Sequence, residues 1–235
     1  MSKHSRRLIN ILQKIDKNLL YSPQEAITLL KSFSSVNFSE TLEVHAALAL
    51  DPKYADQQLR STVLLPKGSG KLIKVAVITQ GEKINEAVSA GADVVGSEDL
   101  IDQILKGSLD FDKLIATPDV MLLIAKLGRI LGPRGLMPSP KSGTVTNDIK
   151  NAINEFKAGK LEYKVDRTGV LHVGVGKLDF DLNDLMLNLK VLQESIDKNR
   201  PSGSKGKYWK SLYLSSTMGP GIPININLLR DSKIG

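Results

Sequence analysis

Cysteine is absent from the 235 residues of the chain, which excludes disulfides, thiolate zinc centres and cysteine nucleophiles together and fits a reducing compartment. Histidine is scarce as well. His4, His45 and His172 lie far apart with no ligand-like spacing, so neither a metal site nor a histidine-based triad is expected. His45 and His172 read instead as strand residues on a polar face. No apolar run approaches the ~18 residues needed to cross a bilayer. The opening residues, MSKHSRRLINILQK, lack the apolar centre of a secretory signal. A soluble protein without a membrane partner is therefore expected. The acid-free, Arg- and Ser-bearing start leaves an organellar transit segment open, whereas Leu8, Ile11, Leu12 and Ile15 at helical spacing favour an ordinary first helix.

Acidic residues are missing altogether from 1–15, 120–147 and 198–230. The first stretch holds Lys3, Arg6, Arg7 and Lys14, and the second Lys126, Arg129, Arg134 and Lys141. The third holds Lys198, Arg200, Lys205, Lys207, Lys210 and Arg230. Segregation of this kind points to basic faces rather than a uniformly solvated surface. Over the whole chain 32 Lys and Arg stand against 25 Asp and Glu, a net charge of +7, so an anionic partner is expected, with nucleic acid first. With 41% hydrophobic and 24% charged residues the chain can bury a core, and its length favours two domains or one domain interrupted by another.

Alternating helices and strands follow. Ser22, Pro23 and Glu25 form a capping box with Pro at the first helical position, opening a helix that turns Ala26, Ile27, Leu30 and Phe33 inward. Over 41–50, Leu42, Val44, Ala46, Leu48 and Leu50 alternate with Thr41, Glu43 and His45, the pattern of a half-buried strand with a free polar face. A second strand, 59–65, ends at Pro66 before a Gly-rich linker. From 72 to 116 the strands are apolar on both faces and separated by helices, as in a small parallel sheet. After Gly159 the half-buried style returns: 161–165 and 170–175 flank a hairpin signal at 166–169, a helix spans 183–198, and a last strand covers 208–217.

The expected fold is α/β in two domains. A split α+β domain uses both chain ends, 1–67 and 160–235, and a Rossmann-like three-layer α/β domain, 68–159, is inserted in it through two crossings that could act as a hinge.

Enzymatic readings are weak. Pro66 to Lys71 imitates a phosphate loop, but Leu65 and Leu72 stand where Gly and Ser or Thr are required, and the stretch precedes a strand instead of following one. The run Val173 to Lys177 lacks the third glycine of a dinucleotide fingerprint, since Asp179 occupies that position. Glu98 with Asp99, and Asp110 with Asp112, read as caps and turns. No cofactor is expected. The alternative is a nucleotide-cofactor enzyme using the inserted domain.

The most specific signal is the acid-free run LGRILGPRGLMPSPKSGTV, 127–145. Its glycines and prolines, interleaved with arginine, are expected to forbid a regular element and to present backbone N–H groups beside guanidinium forks, with Arg129, Arg134 and Lys141 as candidate phosphate contacts. This run resembles the signature of the ribosomal protein L-one family in its bacterial form. So do NFSETLEVH at 37–45, AGAD at 90–93, ATPD at 116–119 and STMGP at 216–220.

The resemblance implies a non-enzymatic protein, cytoplasmic and ribosome-associated, whose split domain binds large-subunit ribosomal RNA at the mobile stalk near the tRNA exit site. It also implies release of deacylated exit-site tRNA, repression of translation of the protein's own mRNA, and a monomer when free of the ribosome. RNA contacts are implied at Phe38, Thr41 and Glu43, at Lys164, Asp166, Thr168 and Gly169, and at Ser211, Thr217, Met218 and Gly219. Asn37 and Ser139 depart from the family's usual lysine and asparagine, and the first change puts one phosphate contact in doubt. The hydroxyls of Ser215 and Thr217, with the apolar Met218, are the groups that reading a shallow RNA minor groove requires, and Gly219 would let the RNA backbone approach.

Overall fold

A computed structural model of the chain describes residues 5–16, 18–204 and 206–231; Lys3, His4 and Lys205 lie outside them. The first part carries α1 (Arg6–Leu12), α2 (Pro23–Phe33), β1 (Thr41–Leu48) and β2 (Arg60–Leu64). The middle carries β3 (Val75–Ile78), α3 (Lys83–Ser89), β4 (Val94–Gly96), α4 (Glu98–Leu105), β5 (Lys113–Ala116), α5 (Met121–Ile124), α6 (Gly128–Arg134) and α7 (Ile149–Ala158). The last part carries β6 (Lys160–Lys164), β7 (Val170–Lys177), α8 (Leu182–Lys198), β8 (Trp209–Ser216), β9 (Ile222–Pro223) and α9 (Ile226–Asp231). The chain folds as two compact units, Met1–Gly70 with Tyr163–Gly235 and Lys71–Glu162, so the mixed α/β class with a split and an inserted part is as expected.

In the split unit, β7-β1-β8-β9 form an antiparallel sheet. The alternation read over 41–50 is realised: Leu42, Val44, Ala46, Leu48 and Leu50 are buried and their neighbours are half exposed, with β1 itself ending at Leu48. Their partners are Leu171, Val173 and Val175 of β7, Leu212 and Leu214 of β8, and the buried stripe Leu185, Met186, Leu189, Leu192 and Ile196 of α8. The α2 capping box forms, with Glu25 N–H donating to Ser22 Oγ at 3.3 Å and Ser22 N–H to Glu25 Oε2 at 3.2 Å, and α2 packs on α8. One sheet face is thus covered by helices and the other is left open, an arrangement that antiparallel sheets tolerate and parallel ones do not.

Two features differ from expectation. The turn at 166–169 forms, with Gly169 N–H donating to Asp166 C=O at 3.2 Å, but no hairpin follows. Past one bridge between Val165 and Leu171, β6 pairs with β2 while β7 joins β1 through seven residue pairs. The eight-residue β1 offers β7 a longer ladder and a shared buried face, which a local hairpin with the shorter β6 could not match. The expected linker is also anchored at its start. The buried Asn188 accepts from Lys67 N–H at 3.1 Å and donates to Gly68 C=O at 3.0 Å and Val175 C=O at 2.8 Å.

The inserted unit has a parallel sheet, β4-β3-β5. Each residue of β3 is buried, because α3 and α7 cover one face and α4 with the 118–134 segment the other. That segment corrects a further expectation, that glycine and proline forbid a regular element there: 118–134 is a succession of helical turns, 3-10 at Pro118–Val120 and Ala125–Leu127 and α-helical in α5 and α6. Two glycines and Pro133 inside α6 cost roughly 5 kcal/mol of helix propensity. Burying Val120, Ile124, Leu127 and Leu131 returns about 1.5–3 kcal/mol each, so packing prevails. Gly135, at φ +70°, ends α6 in the left-handed region that glycine reaches without strain.

Candidate nucleic-acid interface

Since β1 buries alternate residues, Thr41, Glu43, His45 and Ala47 all stand on the open face. Register sets their neighbours. Glu43 lies between Gly174 and Ser215, His45 between His172 and Tyr213, and Ala47 between Val170 and Ser211. Thr41, opposite Lys177, receives the Lys177 ammonium on its hydroxyl at 3.1 Å, and its N–H donates to Thr217 Oγ1 at 3.0 Å. Residues 176 positions apart therefore share one edge of the face.

The histidines, distant in sequence, meet here. Their Nδ1 atoms are 2.8 Å apart, so one ring donates and the other accepts. Burial and the neighbouring His172 hold His45 below its ordinary pKa, against a smaller opposing pull from Glu43. His45 Nε2 is 2.8 Å from Ser215 Oγ. Ser215 is buried and its hydroxyl engaged, so the reading of Ser215 as a presented hydroxyl is corrected: it supports His45 from within the sheet. Among the described residues no group of three or more His, Asp or Glu is placed to hold a metal ion.

The corner after β8 is fixed from below. Buried Glu40 accepts on Oε1 from Ser216 Oγ–H at 3.0 Å and Met218 N–H at 2.8 Å, while Arg7 of α1 donates to Met218 C=O at 2.8 Å. The Thr217 and Met218 side chains are thereby left outward, with Met218 49% exposed. Gly219 has an intramolecular reason to lack a side chain, since a Cβ there would collide with Ser216 Oγ. Burial raises the Glu40 carboxyl, but hydrogen bonds from Ser34, Met218 and Ser216 and the charge of Arg7 outweigh it, holding the pKa below the ordinary 4.5. A depressed folded pKa means that the contribution is fully present above the unfolded value and is lost as pH falls through the folded one. Replacing Glu40 with Gln should lower stability by ~1 kcal/mol near neutral pH, and the deficit should fade as pH falls below the ordinary 4.5 and through the depressed folded value. Denaturation followed on Trp209 would check it; a deficit equal at both pH values would remove the carboxylate charge from the account.

The other expected contacts fall as follows. Phe38 is 52% exposed just before β1, Lys164 and Thr168 are exposed, and Ser211 is half-buried on the face. Asp166 uses its oxygens on the turn: Oδ1 accepts from Thr168 N–H at 2.8 Å and Val170 N–H at 2.9 Å, and these bonds, with the Thr168 hydroxyl, depress its pKa. Gly169, expected among the RNA contacts, is buried against Leu50 C=O and serves the turn instead. Arg129, Arg134 and Lys141 belong to the inserted unit, where they are exposed without an ion-pair or hydrogen-bond partner among the described residues. Sequence reasoning missed Lys177 and Tyr213 on the face and Glu40 with Arg7 beneath the corner. Strand alternation through Ser211 could have indicated Tyr213; nothing local marks the Arg7 contact.

Comparison with known proteins gives the family. Residues 30–220 match the model of the Ribosomal protein L1p/L10e family. The chain belongs to this family. It is 64% identical over 234 residues to "Large ribosomal subunit protein uL1c" of Gracilaria tenuistipitata var. liui, covering 100% of both chains. It is 66% identical over 229 residues to the protein of that name from Pyropia yezoensis, covering 97% of this chain and 100% of the relative. It is 59% identical over 232 residues to "Large ribosomal subunit protein uL1" of Rippkaea orientalis, covering 99% and 98%. The family is one of ribosomal structural proteins, which replaces the reading of the inserted unit as a cofactor enzyme. No helix among the described residues is long and apolar enough to cross a membrane.

Proposed function

We propose that this chain is a structural component of the large ribosomal subunit that binds large-subunit ribosomal RNA through the open face of β7, β1 and β8. The observation that carries the reading is the meeting of Thr41 with Thr217, which joins the two chain extremities in one polar, hydroxyl-bearing surface ending at the exposed Met218. Folded RNA exposes 2′-hydroxyls and base edges on a wide, shallow minor groove, and a flat sheet face with short donors and one apolar side chain fits that contour. Thr41, Ser211, Thr217 and Thr168 supply the hydroxyls; Lys164 and Lys177 supply charge for phosphates.

The same face would take a similar fold in the protein's own mRNA, so that binding there represses translation. At the stalk the protein would contact deacylated exit-site tRNA and help its release, with Arg129, Arg134 and Lys141 as further phosphate contacts, and it would be a monomer away from the ribosome. Sucrose-gradient sedimentation with large-subunit RNA tests the core of the proposal. The protein should travel with the RNA, and log K should fall against log salt by roughly 0.7–0.9 per phosphate neutralised. Protein remaining at the top of the gradient at low salt would refute it.

A further inference from the structure

The acid-free stretch 198–230 does more than supply β8 to the open face. With Leu20, part of it lines an open cavity of about 390 Å³ at the outer edge of the sheet, where the two-residue β9 covers only the Tyr213 and Leu214 end of β8. Small-molecule sites run from ~300 to 1,000 Å³, so one small ligand would fit.

Among the described residues no Asp or Glu lines this cavity, whereas Arg200, Lys207, Lys210 and Arg230 all do. Arg230 is neutralised by Asp197, with Nη2 at 2.9 and 3.1 Å from the two carboxylate oxygens. Among the described residues Arg200 meets only neutral acceptors, Ser204 Oγ at 3.3 Å and the carbonyls of Ser204 and Gly206 at 3.1 Å, and lies 5.0 Å from the centre of the Tyr208 ring. Lys207 and Lys210 are exposed and have no ion-pair or hydrogen-bond partner among the described residues. Three uncompensated cations thus surround one concave site. They repel one another and raise the local concentration of anions.

The remaining wall is apolar, aromatic and amide. Trp209 and Leu212 line it as buried residues, Tyr213 is 41% exposed, and Asn225 also lines it. An anion that also carries a flat ring with hydrogen-bonding edges matches such a wall, because rings stack on exposed aromatics and amides pair with base edges. Ser211 and Tyr213 line the cavity and also belong to the open face, so the two surfaces are continuous.

We propose that this cavity binds one ribonucleotide unit, its base against Tyr213 and Asn225 and its phosphate at Lys207 and Lys210. The ligand chemistry stands on the cavity alone; its assignment to a nucleotide of bound RNA rests on the proposed RNA-binding function.

Trp209 is the only tryptophan of the chain, and its indole N–H donates to Asp197 Oδ1 at 2.6 Å, so a single indole signal reports on the cavity floor. Titration of the intact protein with uridine monophosphate, followed by NMR, should move that signal and the amides of Lys210, Tyr213 and Asn225. Uridine without phosphate should bind at least tenfold more weakly, as should uridine monophosphate to the Lys207→Glu/Lys210→Glu variant, whose exposed substitutions leave the core untouched. A short single-stranded oligoribonucleotide binding tenfold more tightly than the mononucleotide assigns the site to RNA; equal affinity assigns it to free nucleotide. Absence of shifts with both ligands, or unchanged affinity in the double variant, overturns the proposal. Met218→Asp, on the open face, should leave the mononucleotide affinity intact, so unchanged ribosomal RNA binding in that variant with the cavity still competent would count against the sheet face only.

Discussion

Met218→Asp should weaken binding of large-subunit ribosomal RNA by ~2 kcal/mol or more, about 30-fold, without unfolding the protein. The side chain is half exposed at the end of the open face, and its fixed neighbours hold only its backbone: Glu40 takes the N–H and Arg7 reaches the carbonyl. The substitution therefore leaves the corner's hydrogen bonds in place while setting a carboxylate where sugar or base would lie, near phosphates that repel it. Met218→Leu keeps the apolar contact and should lose less than fivefold, or under ~1 kcal/mol. Filter binding measures both, and Trp209 emission during denaturation confirms that the split unit is folded. Wild-type affinity in the Asp variant would remove Met218 from the interface.

Gly169→Ala should be the most damaging single methyl group in the split unit. Gly169 sits at φ +83°, and a Cβ there would stand 2.7 Å from Leu50 O and 3.4 Å from Leu48 O. Those atoms are backbone and cannot rotate aside. Leu48 N–H also donates to Gly169 C=O at 2.9 Å, so the turn cannot retreat without breaking the start of the β1–β7 pairing. A left-handed alanine costs about 1–2 kcal/mol and the overlap a further 1–3, for a destabilisation of roughly 2–5 kcal/mol. Trp209 belongs to the split unit, so denaturation followed on its emission reads that unit directly. A midpoint within error of wild type would show that the turn has room that the structure denies it.

Both predictions concern residues that the sequence marked, though for reasons the structure revised. Met218 and Thr217 are outward, as a reader of RNA contour needs, yet the adjacent Ser215 is buried under His45. Strand alternation places Ser215 and Thr217 on one side, but alternation alone does not say whether a neighbouring ring will cover a hydroxyl. Gly169 was legible as a turn residue, and its burial was not, because Leu50 lies more than a hundred positions away. The histidines show the same limit: His45 and His172 each read as polar strand residues, and only the β1–β7 register brings their rings together.

Local signals fared well where one short-range force dominated. Ser22 and Glu25 form their capping box because both partners lie within one helical turn. They failed where local preference and tertiary burial oppose each other, as in 118–134, where glycine and proline argue against helix and Val120, Ile124, Leu127 and Leu131 decide for it.

By itself the sequence determined the class of every strand but the two-residue β9 and of most helices, the split of style between the chain ends and the middle, the family signature and the segregation of charge. These reside in the period of side chains and in composition, which need no partner to be read. Tertiary structure decided which strands pair, which hydroxyls stay outward, and that the acid-free stretch 198–230 lines a cationic cavity. Those outcomes depend on contacts such as Thr41 with Thr217 and Arg7 with Met218, made across most of the chain's length, where pairing free energy and not local propensity sets the result.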